Sequence, residues 1–125
     1  MPTKSVPAAN SHYITLQTAV DMTALYRTNR EAMLDPVYQN KDVLPLNETF
    51  NRAAIEALLD LPGCAGIRIY GGQDDSDRVH SILVAVNAEN EDILGSASKD
   101  TEDPVIVEVG QRCPPTCPPE SPLNP

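Results

Sequence analysis

The sequence predicts an α+β fold, in which two N-terminal helices pack on a three- to four-stranded antiparallel β-meander. A flexible N-terminal arm and a proline-rich C-terminal tail flank it. Three observations carry that expectation. Apolar residues recur at helical spacing as far as Leu61, β-type residues dominate from Gly66 onward, and six of the last 12 residues are proline. The expected organisation is an arm over 1–13, one α+β domain over 14–112 and a Pro/Cys-rich tail over 113–125. A chain of 125 residues suits one domain.

The arm follows from Pro2, Pro7 and the small polar residues around them, which oppose helix and offer little to bury. Thr15 is an N-cap type, and Leu16, Ala19, Val20, Thr23, Tyr26, Met33 and Leu34 fall on one broad face at ~100° per residue. The first helix is therefore placed over about 15–33, ending before Pro36, which turns Asp35 away from helical geometry. Arg27 and Arg30 lie close to its apolar face, where they can snorkel, pair with carboxylates or line a pocket. Residues 35–46 hold two prolines and no clean period, and read as loop.

A second helix is expected from Asn47 as N-cap, with Glu48 in the first turn. Phe50, Ala53, Ala54, Ala57, Leu58 and Leu61 follow helical spacing, and Pro62-Gly63 stop it. Ile55 and Leu59 widen the apolar surface past one stripe, which implies contact on two sides, with the sheet on one and the first helix or another subunit on the other. Strands are then expected over Gly66–Gly71, Arg78–Asn87 and Val105–Gly110. The first two are joined by the turn-rich Gly72-Gln73-Asp74-Asp75-Ser76-Asp77. The strand over 78–87 is apolar on both faces and is expected at the centre of the sheet. Residues 91–94 form a short edge strand in this reading, followed by a mobile loop.

Eighteen acidic residues against nine basic ones give a net charge of −9. The basic residues are scattered, so no cationic stripe is available for phosphate, and neither nucleic acid nor an anionic membrane is an expected partner. Asp74, Asp75, Asp77, Glu89, Glu91, Asp92, Asp100, Glu102 and Asp103 fall in expected loops as solvated acids. Their spacing lacks the sixth-position Gly and twelfth-position Glu of a helix–loop–helix calcium site.

Three cysteines, Cys64, Cys113 and Cys117, with no secretory pattern over Met1–His12, suggest a cytoplasmic protein with reduced thiols, the alternative being a periplasmic or exported protein whose leader has been removed. Cys113-Pro114-Pro115-Thr116-Cys117 can nevertheless close a disulfide, cross-link subunits or, together with Cys64, contribute to a metal site. Zinc is the alternative to no cofactor; it requires four ligands from distant segments. Cys64, between helix and strand, suits a small thiol filling a junction. On the sheet, pairing of Tyr70 with His80 would set Arg68, Tyr70, His80 and Ile82 on one face. That combination of cation, phenol and imidazole could hold a small anion, whereas a one-residue slip dissolves it.

No nucleotide loop, zinc-protease helix or nucleophile elbow occurs, so no catalytic constellation is expected. The expected function is a small non-catalytic protein acting through protein contacts, with self-association into a dimer favoured. The alternative is a ligand- or metal-binding protein using the His80 face or the cysteines.

Overall fold

The computed structural model describes residues 5–95 and 106–125. It is α+β, with two α-helices and five strands in two antiparallel groups. The described residues gather into two compact units. The first takes residues 5–7, 49–72, 80–95 and 106–110, and the second takes 8–48, 73–79 and 111–125.

In the first unit, α2 (Arg52–Leu59) covers a sheet ordered β2 (Gly66–Gln73), β3 (Val79–Val86), β4 (Ile106–Val107). The helix begins later than expected. Asn47–Thr49 is a strand, β1, and the N-cap is Asn51, whose side-chain oxygen accepts from the Ala53 N–H at 2.8 Å. Residues 47–49 pair with β5 (Gln111–Cys113), which commits their backbone to a ladder before the helix can take it. Leu58 is completely buried, and with Leu83 and Ala85 it forms a core against which Phe50, Ile55, Leu61, Cys64, Ile67, Ile93 and Val107 pack. The second apolar side expected of this helix is smaller than its sequence implies, and Leu59 stands 51% exposed.

β3 is central, as its two-sided apolar pattern requires. Leu83, Val84, Ala85 and Val86 are all buried, and β4 pairs in the register Leu83↔Val107 and Val84↔Ile106. Val6, in the expected arm, lies close to Val86 over Gly66, where a side chain would meet both. Asp92 bridges to Val86, and the Ile93 N–H donates to the Ala85 carbonyl at 2.9 Å, so residues 92–93 form the short edge expected there.

The Asp74 N–H donates to the Arg78 carbonyl and the Ala65 N–H to the Val86 carbonyl. Between these bonds the first strand carries one residue more than the second, as a β-bulge does. Either register places Tyr70 opposite Ser81 or Ile82 instead of His80. At Gly72 an added Cβ would sit 2.8 Å from the Ile82 Cδ1, whereas at Gly71 it would meet nothing.

The second unit is built around α1 (Leu16–Asn29), β1 and β5. Thr15 caps α1 by accepting from the Thr18 N–H at 3.0 Å. The regular helix ends at Asn29, earlier than the apolar spacing implies, and residues 31–33 continue as turn. Side chains from both ends of the chain secure the segment 42–46. The Tyr26 hydroxyl donates to the Pro45 carbonyl at 2.6 Å, Arg30 to the Leu44 carbonyl, and Arg112 to the carbonyls of Asp42 and Val43. The Leu46 N–H donates to the Cys113 carbonyl at 2.7 Å. Arg27 and Arg30 thus have structural partners, Arg27 donating to the Leu123 carbonyl at 3.0 Å.

The loop expected to be mobile, with Asp100, Glu102 and Asp103, and the strand residue Val105 lie outside the described residues. Among the described residues, no helix is long and apolar enough to cross a membrane.

Candidate functional site

The face proposed for a small anion resolves into two separate clusters within the first unit. Arg68 and Tyr70, two residues apart on β2, both reach the Asp92 carboxylate. Arg68 bonds Oδ1, and the Tyr70 hydroxyl donates to Oδ2 at 2.6 Å. The second Arg68 nitrogen donates to the Asn90 backbone and side-chain oxygens at 2.8 and 2.6 Å. Hydrogen bonding with Tyr70, then with Asp92, holds the guanidinium charge more firmly than usual, against the opposing effect of desolvation. The resident Asp92 carboxylate occupies the place an anionic ligand would take between these donors. His80 stands apart, its Nδ1 3.2 Å from the Glu108 Oε1, with both side chains partly buried.

Two of the three thiols are joined, contrary to the expectation of reduced cysteines. Cys113 and Cys117 form a disulfide with Cα atoms 4.5 Å apart. Cys113 is completely buried beside β1, and Cys117 is exposed. A sulfur committed to this bond is no thiolate ligand, so in this state zinc could draw only on Cys64 among the cysteines. Cys64 is free and half-buried, and its thiol lies 3.4 Å from the Gly66 carbonyl. The acidic loops are closed by their own side chains. Asp74 Oδ1 accepts from the Ser76 and Arg78 N–H groups, and Asn87 Oδ1 from those of Glu89 and Glu91.

The feature that sequence reasoning missed lies on α1. Met22, Leu25, Tyr26, Asn29 and Met33 line a shallow groove of about 260 Å³. Met22, Leu25 and Met33 are 61%, 63% and 60% exposed. Of the face that the periodicity implies, Ala19, Val20, Thr23, Tyr26 and Leu34 are half-buried, but Leu16 and Met33 are 62% and 60% exposed, because the regular helix ends at Asn29 and Leu16 stands in its first turn. Met22 and Leu25 lie outside that stripe, and their spacing could have marked them as a second apolar strip on the same helix. No protein family, curated protein or solved structure matches the chain.

Proposed function

We propose that this chain is a non-catalytic interaction module that pairs with a second copy of itself through the exposed face of α1. The observation that carries this reading is the groove at Met22, Leu25 and Met33, whose apolar side chains stand in water. The face is self-complementary. Thr18, Met22, Leu25 and Asn29 follow i, i+4, i+7, i+11 spacing and read polar, apolar, apolar, polar from either end. An antiparallel copy related by a two-fold axis sets Met22 on Leu25 of the second copy and Thr18 against its Asn29. Such an isologous contact closes as a dimer.

One helix of 14 residues buries less than a standard interface of roughly 1,600 Å², so the expected dissociation constant is on the order of 10⁻⁵ M. Two copies each carrying −9 repel, and added salt should therefore tighten the pair. The Cys113–Cys117 disulfide removes the reduced-thiol ground for a cytoplasmic setting and favours an oxidising compartment.

Sedimentation equilibrium of the full chain across that concentration range tests it. The apparent mass should climb from the 13.5 kDa of one chain towards twice that value. Leu25→Glu should hold it at one chain with an unchanged circular dichroism spectrum. A single-chain mass throughout, or a dimer that Leu25→Glu leaves intact, overturns the reading.

A further inference from the structure

We infer that the Cys113–Cys117 cystine is a thiol-exchange site, at which a small monothiol of the glutathione class becomes attached to Cys117. The two half-cystines differ in access and in anchorage. Cys113 is completely buried and Cys117 is exposed, so a sulfur arriving from solvent meets the Cys117 side of the bond. Cys113 is held by its surroundings. Its carbonyl accepts from Leu46, and the adjacent Arg112 side chain, only 8% exposed, grips the Asp42 and Val43 carbonyls. Beyond Cys117 the described polar contacts are exposed ones: the Ser121–Asn124 turn, the Asn124 amide to the Pro118 carbonyl, and Arg27 to the Leu123 carbonyl. Cys117 can therefore move with an added group, whereas Cys113 cannot do so without disturbing β5.

The chemistry follows from this asymmetry. The incoming thiolate attacks the Cys117 Sγ and forms a new S–S bond there. The Cys113–Cys117 bond breaks, and its electron pair leaves on the Cys113 Sγ, which takes a proton from water. A second thiolate can then attack the small-molecule sulfur of the mixed disulfide. That step forms the oxidised disulfide of the reductant and releases Cys117 as a thiolate, which is protonated. The protein has then gained two electrons and two protons, and two monothiols have lost them. Burial of Cys113 slows its departure as a thiolate and its return attack alike, so the choice of Cys117 rests on access to the incoming sulfur. Acid quenching protonates the Cys113 thiolate, stops reclosure and traps the mixed disulfide at Cys117.

The test uses the intact chain purified without reductant. It is exposed to graded reduced glutathione, quenched with acid, alkylated after denaturation and mapped by peptide fragmentation. The expected result is glutathione on Cys117 in about tenfold or greater excess over Cys113, with Cys113 alkylated in the same molecules. Equal labelling, a preference for Cys113, or both residues alkylated before glutathione is added would overturn the inference. Single variants supply an independent readout. In Cys113→Ser the remaining Cys117 should react quickly with iodoacetamide, and in Cys117→Ser the remaining Cys113 should react slowly until urea is added. Cys64 is the internal reference for folding in both. Equal rates for Cys113 and Cys117 against an unchanged Cys64 rate would also sink the idea.

Discussion

At the scale of single residues, backbone carbonyls do much of the recognition that side-chain patterns do not announce. Arg112 is the clearest case: a buried guanidinium held by the Asp42 and Val43 carbonyls, neither of which any spacing rule links to it. Removing it leaves the buried Val43 carbonyl and the part-buried Asp42 carbonyl without their donor, so Arg112→Ala should cost about 2–3 kcal/mol by urea denaturation. Arg112→Lys should recover only part of that loss, because an ammonium cannot reproduce the planar fork. Tyr26 makes a related contact with Pro45 and gives a pH test. Burial pushes its phenol up, against the lowering pull of Arg30 and Arg112. The folded protein thus holds this proton more tightly than the unfolded chain. Its contribution to stability is complete below the ordinary phenol range and is lost as pH rises beyond about 10. The alkaline loss of stability should be shallower in Tyr26→Phe, as thermal melts between neutral and alkaline pH would report. The residues Arg68 and Tyr70 were legible as a polar pair on one strand. Their common partner, Asp92, was not, because it lies 24 and 22 residues further along the chain, where its bridge to Val86 sets it at the sheet edge.

At the scale of elements, those with a strong local signal were legible. Thr15 as cap of the first helix, the two-sided β3 and the short edge at 92–93 each depend on neighbouring residues. The start of α2 was not. Asn47 and Asn51 are both good caps by chemistry, and the choice falls to Asn51 because β5, more than 60 residues later, claims Asn47–Thr49. This separates the two asparagines experimentally. Asn51→Ala should lose about 1 kcal/mol through the missing cap to Ala53. Asn47→Ala should stay within about 0.5 kcal/mol, because the cap is made by Asn51 and Asn47 lies in β1. Equal losses measured by urea midpoints would contradict the helix boundary. In the core between α2 and the sheet, Leu58→Ala should cost about 2–5 kcal/mol, since the fully buried side chain leaves a cavity on truncation.

At the scale of the molecule, the α+β class was legible because periodicity changes once along the chain, from helical before Leu61 to extended after Gly66. The grouping into two units has no such signature. The second unit draws together α1, the segment 42–46 and β5 by carbonyl contacts from Tyr26, Arg30 and Arg112. The surface expected to mediate association also differs. Helical spacing pointed to α2 as over-wide; Leu58 and Ile55 join the core while Ala53, Ala57 and Leu59 stay exposed, and the exposed strip of larger side chains is at Met22, Leu25 and Met33. The proposed pairing therefore places its sensitivity at Met22 and Leu25. Leu59→Glu on α2 should leave the sedimentation behaviour close to that of the parent chain, whereas Met22→Glu should weaken association as Leu25→Glu does.

The adjacent glycines 71 and 72 give the hairpin a mutational asymmetry that identical letters conceal. A side chain at position 71 enters open space, and one at position 72 enters Ile82. In a saturation library selected for folded protein, position 71 should accept most residues, with valine and threonine enriched by their preference for extended backbone. Position 72 should keep glycine, tolerate alanine where Ile82 turns its terminal methyl aside, and reject β-branched residues. Recovery of larger side chains at 72 should then come with a smaller residue at 82, so that the two sites vary as one.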